Sequence, residues 1–388
     1  MGTSSKGPGA PASAGKPSLS RLVDVAIIGA GPAGTAMAAR LGQLGVRDVV
    51  LVDKADFPRE KTCGSGVSPK GIKVLQELGV WSRVEPSSYW IRGLRLVTPG
   101  GREAMLSAGD VQAVVCPRRV LDHHLLQAAV ERGTQFIPYF NAARLTEDGG
   151  RTTGFVGRDG RVVRAKHTIV AGGSHCRFGG PVRPTKRVIQ AIMGFWQNVP
   201  FTPNTVEMIY DRELLPYYGW LFPEGEGTVN IGITYEERPG EKRNARALFA
   251  AFLERHYARR IANAEQLGDF KGHPITWSYA IEELTAPGRV VIGESGLLTH
   301  PATAEGIYQG MRSGLLAADA IASVLSGECS EAAAHRAYER SVRRAFRPSF
   351  LAAGAFRHLL KTPFMDAVVG LTEQPALKRA GARILASL

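Results

Sequence analysis

The chain has 388 residues, 44% of them hydrophobic and 21% charged, with a net charge of +13. That composition is ordinary for a globular protein of one large or two moderate domains, and no apolar run is long enough to span a membrane. The four cysteines are scattered without paired spacing, which argues against a metal site or a disulfide framework and for a reducing cytoplasm. No helix-turn-helix, finger or aromatic RNA motif accompanies the positive charge, so nucleic acid is not expected as a partner.

Residues 1–20, rich in Gly, Ser, Pro and Ala but without the apolar centre of a signal peptide, are expected to form a disordered leader outside the fold. The branched apolar run Asp24–Ile28 then ends in Gly29-x-Gly31-x-x-Gly34, an Ala-rich helical stretch follows from Pro32 to Leu44, and Asp48–Asp53 forms a second buried strand. Strand, tight turn, helix and strand over this span make a dinucleotide-binding unit. Gly29 permits the turn, Gly31 lets backbone N–H groups approach a pyrophosphate at the helix N-terminus, and Gly34 lets helix and strand pack closely. Asp53 is placed to accept hydrogen bonds from a ribose. The small residues Gly64-Ser65-Gly66 allow backbone to approach something flat or charged, and a helix from Lys70 to Leu78 is ended by Gly79. The turn by itself does not separate FAD from NAD.

With Phe57-Pro58-Arg59-Glu60-Lys61-Thr62-Cys63-Gly64-Ser65-Gly66-Val67-Ser68-Pro69-Lys70 added to that turn, the sequence resembles the geranylgeranyl reductase family of FAD-dependent oxidoreductases. The family shares the para-hydroxybenzoate hydroxylase-type fold, and the resemblance implies that the Cys-Gly loop lies near the flavin ring. Further along, Arg118-Arg119-Val120-Leu121-Asp122 matches the pattern that sets an Arg against the cofactor. His123 and His124 belong to an exposed helix face. Residues 142–165 form a meander of hairpins. Ala171-Gly172-Gly173-Ser174-His175-Cys176 stands where the family has Ala-Asp-Gly-Ala-x-Ser, so Gly172 and Cys176 depart from the pattern, and loss of that Asp argues against direct reduction by a nicotinamide.

Strands are expected within 188–210. Tyr218-Gly219-Trp220-Leu221-Phe222-Pro223 and Gly227-Thr228-Val229-Asn230-Ile231-Gly232 resemble the segment that lines the family's substrate cavity, with Pro223 to Gly227 as a hairpin turn. A helix over 244–262 and a strand over 274–281 close that region. Gly293-Glu294-Ser295-Gly296 and Pro301-x-x-Ala304-Glu305-Gly306-Ile307 resemble the family's second flavin motif, with Glu294 in place of Asp. There a helix N-terminus faces the ring and stabilises negative charge on reduced flavin. From Gly327 onward ten Lys or Arg face five acids, with apolar residues such as Phe346, Phe350, Leu351 and Phe356 interspersed. This is expected to be a helical cap on the substrate region, compatible with peripheral contact to the inner face of the membrane.

The resemblance implies a mixed α/β (α+β) fold. An FAD-binding Rossmann-like domain (21–83, 106–185 and 284–325) carries an inserted antiparallel-sheet substrate domain (84–105 and 186–283) and a C-terminal helical region (326–388). Expected cofactor contacts are Gly29, Gly31, Pro32, Ala33, Gly34, Asp53, Lys54, Arg59, Cys63, Gly64, Ser65, Gly66, Arg118, Gly172, Gly173, Gly293, Glu294, Pro301, Ala304, Glu305, Gly306 and Ile307. Cys63, Tyr218 and Trp220 are the expected catalytic residues, and no metal is expected. The implied reaction saturates carbon–carbon double bonds of a prenyl chain by hydride transfer from reduced FAD, on a hydrophobic or lipid substrate. Electrons would come from NADPH or from a reduced ferredoxin or flavodoxin-type protein. The alternatives are a flavin monooxygenase of a natural-product-like molecule and a flavoprotein without redox turnover. A halogenase fits less well, because its Trp-x-Trp-x-Ile-Pro is replaced here and no lysine occurs between Lys73 and Lys166.

Overall fold

The apolar run Leu22–Ile28 is the middle strand of an eight-stranded sheet, paired in parallel with Val49–Val52 on one side and Val162–Val170 on the other. Gln135–Ile137 and Arg289–Val291 extend this parallel core outward. Layers pack on both of its faces, which is why these strands read as continuous apolar runs and not as alternation. The computed structural model describes residues 21–107, 113–178, 186–237, 243–360 and 362–371; the expected leader and the chain beyond 371 lie outside the described residues. The meander is formed by Ala142–Asp148, Arg151–Gly157 and Val162–Val170, antiparallel to one another.

A seven-stranded sheet runs in the order Glu265–Trp277, Arg187–Gln197, Thr228–Tyr235, Gly219–Gly225, Thr205–Ile209, Gly93–Val97 and Glu103–Ser107, antiparallel except where Thr205–Ile209 meets Gly93–Val97. A small sheet of Gly66–Val67, Ala113–Val115 and Tyr89–Ile91 joins the two regions. Helix Ala245–Ile261 covers one face of the larger antiparallel sheet through Phe249, Phe252 and Tyr257. The other face, carrying Tyr218 and Trp220, turns toward the parallel sheet.

Two expected boundaries shift. The hairpin turn is narrower than 223–227: Pro223 pairs with Val229 beside a register shift, leaving Glu226 and Gly227, both with positive φ, as a two-residue turn. Such a turn matches the twist of its strands, and Pro sits where the ladder is already irregular. The strand expected over 274–281 instead spans Glu265–Trp277, and its first half is an exposed sheet edge. An edge that buries neither face has no apolar alternation to read.

Helix Pro32–Gln43 crosses helix Ile307–Leu325 at very short range, and both begin beside the sheet's C-terminal edge. After the second, helix Glu331–Leu359 packs back along it through Tyr338, Val342, Phe346 and Phe350. The last helix, Phe364–Leu371, is tied to the antiparallel sheet by Asp366, which accepts hydrogen bonds from Thr98 Oγ1 and Gly100 N. Among the described residues no helix is long and apolar enough to cross a membrane.

A Cβ added to Gly34 would lie 2.0 Å from the Gly29 carbonyl oxygen, an atom fixed in the first turn. Gly34→Ala is therefore expected to cost about 2–3 kcal/mol, a Tm decrease of roughly 4–10 °C by circular dichroism. An unchanged Tm would mean that the helix can retreat from the strand without loss.

Candidate functional site

Between the two large sheets lies a cavity of about 840 Å³. All of the expected site residues line it except Gly34, Gly293 and Pro301, which sit behind the wall. Gly34 and Gly293 are packing positions, and the Pro301 carbonyl accepts hydrogen bonds from Tyr217 and Arg357 at 3.1 Å each.

One end of the cavity is built from backbone. Helices Pro69–Glu77, Ala245–Ile261 and Glu331–Leu359 start with side-chain caps from Ser68, Asn244 and Ser330. Helices Pro32–Gln43 and Ile307–Leu325 start on Gly31 and Gly306 with no side-chain cap, and both starts open into the cavity. Uncapped first-turn N–H groups together with the helix dipole make each end a site for negative charge. A Cβ on Gly31 would meet nothing within 4 Å, so the space over that turn is free for a ligand. This end fits a dinucleotide. Asp53 adds a function not foreseen: its Oδ2 accepts from Ala30 N at 2.8 Å and its Oδ1 from Ala55 N at 2.9 Å, which holds the glycine turn against the second strand.

Arg118 lines the wall, but its guanidinium is already engaged. It grips fully buried Asp122 through two bonds of 2.7 and 2.8 Å, Arg59 adds a third contact to that carboxylate at 3.3 Å, and Cys63 lies close to the same guanidinium. The guanidinium expected to contact the cofactor is thus also anchored by Asp122 within the wall. The i,i+4 spacing of Arg118 and Asp122 was the available signal.

The opposite end is apolar. Leu94, Leu106, Met193, Met208, Phe222 and Ile275 face the cavity together with Tyr218 and Trp220. The polar tips of those two aromatics are spent elsewhere: Tyr218 donates to the Thr303 carbonyl at 2.6 Å, and Trp220 Nε1 donates to Asn230 Oδ1 at 2.8 Å. Asn230, fully buried, also donates from Nδ2 to the Cys63 carbonyl at 3.3 Å. One amide thus fixes both the aromatic wall and the Cys63 loop. Its place in the Val229-Asn230-Ile231-Gly232 run was visible, but its partners are distant in sequence.

Between the two ends sits a cluster of ionisable groups. Burial pushes the Lys61 ammonium down to about 8, with Arg118 adding to the effect. His273 accepts or donates a 2.8 Å bond with Ser174 Oγ and is pushed down to about 3 by burial, then by Lys61 and His175. Burial raises the carboxyl groups of Glu294 and Glu305 above their usual range; Glu294 Oε1 still accepts from Thr276 N at 2.8 Å, and Gln309 donates to Glu305 at 3.3 Å. Gly172 and Cys176, the two departures from the family pattern, touch one another: a Cβ on Gly172 would come within 3.0 Å of Cys176 Sγ.

A family model described as an FAD binding domain matches residues 22–348. Menaquinone reductase of Mycolicibacterium smegmatis is 30% identical over 321 residues, 79% of this chain and 78% of that protein. Digeranylgeranylglycerophospholipid reductase 2 of Methanopyrus kandleri is 28% identical over 344 residues, 84% of each chain. A crystal structure of a geranylgeranyl bacteriochlorophyll reductase-like protein from Thermoplasma acidophilum superposes with a TM-score of 0.82 at 22% identity, over 94% of this chain and 95% of that one.

Glu224 lies behind the Cys63 loop near Ser65 and Asn230, and burial pushes its carboxyl from 4.5 up to about 7. Folded protein then holds a proton that the unfolded chain releases, so stability falls as pH rises from about 4.5 to 7. Glu224→Gln removes that loss. Its urea midpoint is expected to match the parent near pH 4.5 and to correspond to about 3 kcal/mol more stability above pH 7. A gap that does not change with pH would exclude Glu224 as the titrating group.

Proposed function

We propose that this chain, which belongs to the FAD binding domain family and within it to the geranylgeranyl reductase family of FAD-dependent oxidoreductases, saturates carbon–carbon double bonds of a prenyl chain carried by a lipid or quinone-like substrate. The observation that carries this reading is the two-ended cavity, backbone and uncapped helix starts at one end, apolar side chains with their polar tips turned away at the other. A polyene chain needs a long apolar slot without hydrogen-bonding demands. The names of the reductase relatives support the same substrate class.

When bound, FAD in its reduced form supplies the hydride. The remaining work falls to the chain. Gly29, Gly31, Pro32 and Ala33 would hold the pyrophosphate at the first helix start, with Asp53 and Lys54 at the ribose side. Ala304, Glu305, Gly306 and Ile307 would bring the second helix start to the ring, with Gly172, Gly173 and Glu294 along its tail. Gly64, Ser65 and Gly66 let the Cys63 loop approach closely, and Arg59 and Arg118 hold that loop through Asp122. Tyr218, Trp220 and Phe222 would align one alkene and exclude water, which contributes to rate by orientation. Cys63 would hold the proton at Sγ that completes the reduction, since an alkene accepts one hydride and one proton. The division into cofactor segments (21–83, 106–185, 284–325) and substrate segments (84–105, 186–283) is part of the same proposal. The electron donor in this reading is NADPH or a reduced ferredoxin or flavodoxin-type protein.

FAD-loaded protein, chemically reduced under nitrogen and mixed with prenyl lipids, is expected to give products heavier by two hydrogens per step by mass spectrometry. Products that gain one oxygen, only in air, would overturn the reductase reading in favour of a monooxygenase. Cys63→Ala is expected to retain FAD and its visible spectrum while single-turnover oxidation by substrate slows at least about tenfold. Unchanged turnover would remove Cys63 from the reaction.

A further inference from the structure

Helix Glu331–Leu359 carries a surface that the cavity chemistry does not use. Its buried side, Ala334, Tyr338, Val342, Phe346, Phe350 and Ala353, packs on the body of the protein. The opposite side is exposed and changes character along its length. Arg336, Arg340, Arg344 and Arg347 come first, then Pro348, Leu351, Ala352 and Ala355. At 1.5 Å per residue the stripe is about 30 Å long, and its i,i+3 and i,i+4 spacing sets these groups on one face.

The charge on that face is uncompensated. The two acids of the helix are turned aside and occupied: Glu331 bonds Arg151 and Gly288 N, and Glu339 accepts from Thr285 Oγ1 and pairs with Arg343. Among the described residues no carboxylate pairs with Arg336, Arg340, Arg344 or Arg347. Leu351 is 60% exposed, and Tyr279, which packs under Gly354, is 40% exposed beside it. Beyond the apolar half the same helix runs into the cavity wall. Phe356 meets Tyr210 edge-on, and Leu360 shares a core cluster with Tyr218 and Trp220.

We propose that this face docks the protein on an anionic lipid bilayer, the arginines on the headgroups and Pro348, Leu351 and Ala355 at the acyl boundary. Cations draw a surface to an anionic leaflet, and apolar groups on the same stripe then partition into the boundary below the headgroups. Nucleic acid would satisfy the arginines but leaves the apolar half without a partner. Docking in this orientation sets the substrate cavity's outer cluster next to the bilayer. It goes beyond the reductase reading and does not require that the reaction be correct.

The full-length, FAD-loaded protein is sedimented with phosphatidylcholine vesicles, with or without about one-third phosphatidylglycerol, at low and high salt. Binding is expected with the anionic vesicles alone and is expected to weaken with salt. The variant R336E/R340E/R344E/R347E is expected to lose at least about tenfold in vesicle affinity, and the four Arg→Lys replacements to keep most of it. Leu351→Glu is expected to weaken binding further at constant salt. All variants are expected to keep bound FAD and Tm. Equal binding to neutral and anionic vesicles, or full binding by the charge-reversed variant, would overturn the proposal. So would duplex DNA that the same four arginines hold more tightly than they hold vesicles.

Discussion

The short crossing of helices Pro32–Gln43 and Ile307–Leu325 is the constraint from which the site follows. A Cβ on Gly314 would lie 2.5 Å from the Ala33 carbonyl oxygen and 3.1 Å from Met37 N, so the second helix can lie against the first only without a side chain there. Gly34 removes the same obstacle between the first helix and its own strand. Together these contacts bring two helix starts to one edge of the sheet, both on glycine N-caps and both open to the cavity. Unpaired first-turn N–H groups at each start, with aligned dipoles behind them, then favour negative charge at two points of one elongated ligand. A dinucleotide with a reducible ring needs this at its pyrophosphate and at the ring that takes up electrons. Backbone geometry alone delivers it.

The other half of the site depends on side chains that hold one another. Arg118 and Asp122 are both buried, and burying such a pair costs about as much in lost hydration as its attraction returns. Its value lies in geometry: two parallel bonds to Asp122 fix the plane of the guanidinium beside Cys63. Asn230 acts on the same loop from the opposite side, through the Cys63 carbonyl, while fixing the Trp220 ring. The loop is therefore clamped between a helix of one sheet's layer and a strand of the other sheet. Movement of the two layers relative to each other would shift Cys63 and the aromatic wall together.

Much of this was legible in the sequence because it is local. The glycine turn, the parallel strands and the hairpin around Trp220 are stretches whose periodicity or spacing carries its own meaning, and they stand in the structure where the residues put them. What could not be read depends on partners far apart in the chain. Asp53 reads as a ribose ligand, and the bond it accepts from Ala30 N adds a second role that only the fold reveals. Arg118 reads as a cofactor contact, and its bond to Asp122 one helical turn on adds an anchor that the i,i+4 spacing does show. Asn230 is one polar residue in an apolar strand, and only its bonds to Trp220 and Cys63 reveal its importance. The strand Glu265–Trp277 was half missed because a solvated sheet edge needs no hydrophobic pattern.

The departures at Gly172, Cys176 and Glu294, scattered in sequence, form one arrangement in space. An Asp at 172 would have to share its place with Cys176 Sγ, 3.0 Å from where its Cβ would stand. A carboxyl group beside this turn, that of Glu294, comes from the neighbouring strand end. Glu294 is one methylene longer than the family's Asp. Its Oε1 accepts from Thr276 N at 2.8 Å, and its Oε2 lies 3.9 Å from the Cβ position of Gly173. Ser295 Oγ accepts from Gly173 N at 3.0 Å and pins the same turn. A carboxyl group therefore stands beside the 172–174 turn and next to Lys61, at a position where the family already carries an acid, and Gly172 leaves the turn one acid short of that pattern. Glycine at 172 removes the side chain that would have crowded Cys176.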